Sequence, residues 1–268
     1  MPTSNGSRAH DIRAVVFDWR GTLVSELTPV GWVREALRRV GRDYDDHAVT
    51  TVLRAIQTPE SLRRMRSPQG NTSAERHRDT YYGVFTAAGL DSELADELWA
   101  VESDPAYNRF AVDAAETFAS LAKRGCKIGV LSNIHFDIRP VFERARLLDS
   151  VDAFVLSCEH GIQKPDPAIF HLALEELGTG PECTLMVGDR PSRDGVAVDI
   201  GMSTLLVPTL LDHERRRLHL VTSTVGAHRE HRGARRARRR HRATAAVAPN
   251  TVEFTACGSR RRSSPEWP

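Results

Sequence analysis

The chain has 268 residues, of which 40% are hydrophobic and 27% charged, with a formal net charge of +2. That is enough apolar material for one large or two small packed domains. No stretch approaches the ~18 apolar residues of a membrane span, and the polar opening, residues 1–11, holds no apolar signal core.

Four widely spaced cysteines, Cys126, Cys158, Cys183 and Cys257, form no Cys-x-x-Cys pair of the zinc or redox type. The expectation is a protein of the reducing cytoplasm, with the first three as inert thiols in or beside strands. Charge is spread unevenly. From Asp212 onward 14 arginines face 5 acids, whereas the preceding part carries 23 basic and 30 acidic residues.

In chain order, Ala14–Phe17 is an apolar β-type run that ends in Asp18, with a Gly21-Thr22 turn just after it. This places a carboxylate at the carboxyl end of a buried strand, where open α/β sheets bind ligands. Residues 32–40, 46–57, 74–88 and 92–101 read as helices, and nothing between the first strand and residue 110 reads as a strand. The arginine-rich segment 63–71 reads as an exposed loop, either a solvated face or a contact for an anionic substrate. After residue 110, strands and helices alternate: helix 111–124, strand 127–131, helix 136–148, strand Ala153–Leu156, helix Pro167–Leu177, strand 184–187, short helix Gly195–Ile200 and strand 203–207. Five strands with helical crossovers predict a doubly wound parallel sheet.

Four local patterns carry chemistry. The first is Asp18-Trp19-Arg20-Gly21-Thr22, and the second is a strand ending in Ser132-Asn133. The third is Lys164 just before a Pro-led helix start. The last is a strand ending in Gly188-Asp189, with Asp194 five residues on. Two strand-end carboxylate clusters suit a hard cation such as Mg²⁺, which prefers oxygen ligands and also accepts phosphate oxygens. Singly, each pattern is ordinary turn and cap chemistry. Together and in this order, over residues 11 to 210, they resemble the motifs of the haloacid dehalogenase-like hydrolases.

The resemblance implies an α/β fold. A Rossmann-like core (11–24 and 109–220) has its first strand central, an all-helical cap (25–108) is inserted after the first motif, and a disordered basic tail (221–268) follows. It also implies a phosphatase of a small phosphorylated metabolite. Asp18 would be the nucleophile and form an aspartyl-phosphate. Thr22 or Ser132, with Lys164, would hold the phosphoryl oxygens, and Asn133, Arg20 and Gly21 would contact substrate. Asp18, Asp189, Asp194 and the Arg20 carbonyl would hold Mg²⁺.

One residue departs from the family pattern. The second acid of Asp-x-Asp-Gly-Thr, the usual proton-transfer group, is Arg20. Arginine stays protonated and is a poor general base, and losing a general acid or base costs about 10²–10⁴ in rate. Three chemistries stay open. A phosphatase would use Arg20 to bind phosphate and another group to steer water; His135 is one candidate, its plain alternative being an exposed loop histidine. A phosphate-binding or regulatory relative would have Arg20 paired with Asp18 or Asp189 in a disabled site. Carbon–halogen cleavage is the third, although relatives with that chemistry carry Tyr at the Arg20 position, and the retained acids speak against it. The Arg/His-rich run 228–242 lacks aromatics and any recognisable module, so nucleic acid is not the expected partner.

Overall fold

The apolar run before Asp18 becomes the middle strand of a five-stranded parallel sheet. The computed structural model describes residues 11–67 and 69–226. After β1 (Ala14–Phe17) and β2 (Val24–Ser25) come five helices, α1 (Pro29–Arg39), α2 (Asp46–Ile56), α3 (Pro59–Met65), α4 (Ala74–Ala87) and α5 (Ser92–Glu102). The chain returns through β3 (Arg109–Phe110), α6 (Ala114–Lys123), β4 (Lys127–Ser132), α7 (Arg139–Arg144) and β5 (Ala153–Leu156). It continues through α8 (Ser157–His160), α9 (Pro167–Leu177), β6 (Thr184–Gly188) and β7 (Ser203–Leu206).

The sheet order is β5-β4-β1-β6-β7, so the first strand is central and the sheet is doubly wound. All four residues of β1 are buried because both faces of the sheet are covered. Alternation sorts them. Val15 and Phe17 pack with Phe118, Leu121 and Phe142 of α6 and α7. Ala14 and Val16 pack with Ile169, Phe170 and Leu177 of α9 on the other face.

The helices between β2 and β3 have an apolar core of their own, built from Val33, Leu37, Ile56, Phe85, Leu98 and neighbours. Each starts on a side-chain cap: Thr28, Asp45, Thr58, Ser73 and Asp91 accept a hydrogen bond from the amide three residues on. Each such cap contributes about 1 kcal/mol.

Several expectations are corrected. Segment 63–71 is not all loop, because its first residues close α3, which starts on the Thr58 cap and Pro59. The remainder docks on the core: Asn71 N donates to Gln163 Oε1 at 2.8 Å, and Ser157 Oγ donates to the Asn71 carbonyl at 2.6 Å. The stretch expected to hold no strand contains β2, paired antiparallel with β3 through Val24–Phe110 and Ser25–Arg109. These pairs clamp together the two chain segments that flank the five helices.

The helix expected over 136–148 is cut to α7. Pro140 falls in the first turn of α7, where proline is tolerated because its missing N–H has no helical partner to lose, and Arg146, at φ 58, ends the run. Gly195–Ile200 is a 3₁₀ helix between two glycines, with bonds such as Ala197 N to Asp194 O. Residues 219–226 are helical, and Val221 and Val225 are fully buried in the core. The packed chain therefore runs past the expected boundary at 220. The basic run 228–242 and Cys257, with the expected disorder of the tail, lie outside the described residues. Cys126 and Cys183 are buried, and Cys158 is half-buried on α8, just past the end of β5. Among the described residues, no helix is long and apolar enough to cross a membrane.

Candidate active site

β1, β4 and β6 end side by side, and their ends deliver Asp18, Ser132 and Asp189 to one edge of the sheet. Lys164 reaches the same place from the turn before α9. Its ammonium is 1% exposed and bridges two carboxylates, at 2.5 Å from Asp18 Oδ1 and 2.6 Å from Asp194 Oδ1. Thr22 Oγ1 donates to the other Asp18 oxygen at 3.2 Å, and the Arg190 amide donates to Asp194 Oδ2 at 2.9 Å.

Two glycines make this crowding possible. Gly21 has φ +83, and a Cβ there would stand 2.5 Å from Asp189 Oδ2. At Gly188 a Cβ would collide with the Asp194 carboxyl.

Burial pushes the Asp18 carboxyl up to about 6 against the pull of Lys164. Burial alone would lower the Lys164 ammonium, but Asp18 and Asp194 outweigh it and hold the group above its ordinary range. The cation is thus locked on, and it offsets part of the local negative charge.

Asp18, Asp189 and Asp194 offer ligand oxygens that all lie within 4.8 Å of one another. Asp189 Oδ2 accepts from Thr209 at 2.7 Å, whereas Asp189 Oδ1 is buried without a hydrogen-bond partner, its nearest cation being Arg190 Nε at 3.9 Å. An oxygen-only set in which one buried carboxylate oxygen accepts no hydrogen bond fits a small divalent cation, since such an oxygen is otherwise costly to bury.

Asp18, Ser132, Asn133, Lys164 and Asp194 line a cavity of about 380 Å³. Arg66, just after α3, and Arg190 and Arg193 from the loop after β6 line it too, together with the acids Glu26 and Glu102. Asn133 is committed to Lys164: its Nδ2 donates to the Lys164 carbonyl and its Oδ1 accepts the Lys164 amide, both at 2.8 Å. A residue from beyond the compared motifs holds the turn. Arg217 donates to the Gly21 and Thr22 carbonyls at 2.9 and 2.6 Å.

Arg20 is paired neither with Asp18 nor with Asp189. Its guanidinium turns to the cap, with Nη1 2.8 Å from Glu102 Oε1, Nη2 2.9 Å from the Glu102 carbonyl and Nε 3.0 Å from Asn108 Oδ1. Asn108 also accepts from Trp19 Nε1 at 3.2 Å. Burial opposes charge on Glu102, but Arg20 and the adjoining histidines hold it well below the usual carboxylate range.

His135 is not an exposed loop histidine. It is 4% exposed, its Nε2 meets Ser103 Oγ at 3.0 Å, and burial pushes its imidazole down to about 3. The sequence reading missed Glu102, Asn108, His77 and Arg217, whose partners lie more than 20 residues away and leave no local signal.

A sequence model described as haloacid dehalogenase-like hydrolase matches residues 12–197. The chain belongs to this family. Haloacid dehalogenase-like hydrolase domain-containing protein 3 of Bos taurus is 28% identical over 207 residues, 73% of this chain and 82% of that protein. Ribulose-1,5-bisphosphate 5-phosphatase of Halopiger xanaduensis is 26% identical over 181 residues, 64% of this chain and 73% of that protein. The solved structure of L-2-haloacid dehalogenase from Xanthobacter autotrophicus superposes with a TM-score of 0.54 at 28% identity, covering 73% of this chain and 77% of that one. As a haloacid dehalogenase-like protein, the chain is a hydrolase, and its relatives include a phosphatase.

Proposed function

We propose that this hydrolase cleaves the phosphate ester of a small phosphorylated metabolite, with Asp18 as nucleophile and Mg²⁺ as cofactor. The observation that carries the reading is the cluster of Asp18, Asp189 and Asp194, with an Asp189 oxygen that accepts no hydrogen bond and with Lys164 bridging two of the three acids. A metal-free displacement of halide has no use for three gathered carboxylates, whereas a phosphate dianion approaching one of them needs cations.

Asp18, Asp189, Asp194 and the Arg20 carbonyl would hold the metal, which would shield the phosphate from the carboxylates. An Asp18 oxygen attacks phosphorus and forms an aspartyl-phosphate, splitting one hard displacement into two easier ones. Lys164 binds phosphoryl oxygens and offsets their charge, with Thr22 and Ser132 as hydroxyl donors. Asn133 fixes the Lys164 backbone, so its contribution to substrate binding is through that lysine. Gly21 keeps the turn clear of Asp189. Widely spaced cysteines without a Cys-x-x-Cys pair suit a reducing cytoplasm.

The second reading is a phosphate-binding relative without turnover, favoured by Arg20 standing where the family's proton-transfer acid would be. Inorganic phosphate release from a panel of phosphorylated metabolites separates the two. Release that needs Mg²⁺ and is lost in Asp18→Asn is expected. Phosphate binding with no release from any substrate would overturn the proposal in favour of the second reading.

A further inference from the structure

Arg20 removes the acid from its usual place, but a different proton-transfer group stands across the same cavity. Glu102, at the end of α5, is the hub of a buried cluster at the cap–core junction. Its Oε1 takes Arg20, while its Oε2 lies 3.2 Å from His77 Nε2 and 3.4 Å from His135 Nε2. His77 projects from α4 and is 5% exposed. Its ring is stacked on Tyr81 at 4.4 Å and on His135 at 3.7 Å, centroid to centroid. His77, Glu102 and Tyr81 line the cavity that holds Asp18, whereas His135 lies behind them.

The groups of this cluster sort by chemistry. Arg20 cannot give up its proton. Glu102 is held ionised beside Arg20, so it orients other groups rather than donating a proton. His135 is kept neutral by burial and is bonded to Ser103. Within the cluster around Glu102, that leaves the imidazole of His77. Its side-chain hydrogen bond runs from Nε2 to Glu102, so Nδ1 is the nitrogen left to exchange a proton with a molecule in the cavity. A carboxylate that fixes one ring nitrogen while the other handles the proton is the working arrangement of a histidine acid–base. A metal ion on His77, Glu102 and His135 is the competing use of the cluster. The two rings lie 8° from parallel, so their in-plane lone pairs do not converge, and Arg20 already occupies the carboxylate.

We infer that His77, oriented by Glu102, is the proton donor and acceptor of the reaction, taking over the task of the aspartate that Arg20 replaces; this rests on the phosphatase reading above. With Nε2–H on Glu102 and a second proton on Nδ1, His77 gives the Nδ1 proton to the leaving oxygen. The phosphorus–oxygen bond breaks as the bond to Asp18 forms. The neutral ring then takes a proton from water as the water oxygen attacks phosphorus. Inorganic phosphate leaves, and the Asp18 carboxylate and the imidazolium are restored. Arg20 and Glu102 are positioning residues in this scheme.

The test compares 2,4-dinitrophenyl phosphate, whose leaving group needs no proton, with phenyl phosphate, whose leaving group does, in wild type, His77→Gln and Asp18→Asn. For His77→Gln, kcat/KM falls about 10²–10⁴-fold on phenyl phosphate and by no more than about tenfold on the dinitrophenyl ester. Because the second step also loses its base, the same variant releases a burst of dinitrophenol equal to the enzyme present, followed by slow turnover. Intact reactivity toward the good leaving group shows that the variant is folded. Equal losses on both esters, or no loss on either, would overturn the role of His77 while leaving the phosphatase reading standing. No release from either ester by wild type, or release that survives in Asp18→Asn, would overturn the phosphatase reading and this inference together.

Discussion

Restoring the family's acid by Arg20→Asp should damage this protein rather than improve it. The guanidinium makes three polar contacts with the end of α5 and the segment after it, at 2.8 and 2.9 Å to Glu102 and 3.0 Å to Asn108. The paired side chains are 18% and 11% exposed. Removing one partner of a buried pair costs about 3–5 kcal/mol, because the other charge is left uncompensated. Partial exposure places Arg20 at the lower end, about 3 kcal/mol, which is a large share of the roughly 5–15 kcal/mol that holds a domain together. The new carboxylate also adds like charge near Glu26 and Glu102.

Urea unfolding at neutral pH should therefore show Arg20→Asp destabilised by about 3 kcal/mol, with turnover reduced. Arg20→Asp combined with Glu102→Gln should recover part of the stability, because the orphaned charge is gone. A variant as stable as wild type and faster on phenyl phosphate would refute the reasoning. It would mean that Arg20 merely displaces the ordinary catalytic acid.

Two further outcomes follow from the same geometry. His135 is pushed from the ordinary 6.5 to about 3 by burial, so protons bind the unfolded chain more readily. Its contribution to stability is complete above pH 6.5 and is lost as pH falls toward 3, amounting to about 2 kcal/mol at pH 5; the stability lost between pH 8 and pH 5 should shrink by that amount in His135→Gln, and an unchanged slope would contradict it. Gly21→Ala should cost about 1–2 kcal/mol from the left-handed backbone alone. It should cost activity more heavily, because the new Cβ lies 2.5 Å from Asp189 Oδ2; a fully active Gly21→Ala protein would show that the Asp189 position is not needed.

The parts of this molecule that were legible in the sequence are those set by local order. A strand ending in Asp18, another in Ser132 and a third in Gly188-Asp189 announce a parallel sheet with these side chains at its carboxyl ends, and the sheet has that form. Helices of about ten residues show their periodicity, whereas α3, with seven, does not. The β2–β3 pair was hidden because two residues have no period and the partners lie over 80 positions apart.

Long-range pairings hid the rest. Nothing near Arg20 in the chain says that it binds Glu102, 82 residues away, nor that Arg217, beyond the recognised motifs, holds the Gly21 turn. His135 follows a strand and was expected at the surface, yet the cap covers it with Ser103 and the His77 ring. Burial at a cap–core junction belongs to the tertiary structure, so the acid–base reading had to wait for it.

The most direct test of the central claim is to trap the phosphoryl enzyme. The protein would be mixed with 2,4-dinitrophenyl phosphate and Mg²⁺, quenched in acid within the first turnover and mapped by peptide mass. Phosphate on the peptide carrying Asp18, absent in Asp18→Asn, is the predicted result. Rapid dinitrophenol release with no phosphate on that peptide, or with phosphate on another residue, would contradict Asp18 as the nucleophile.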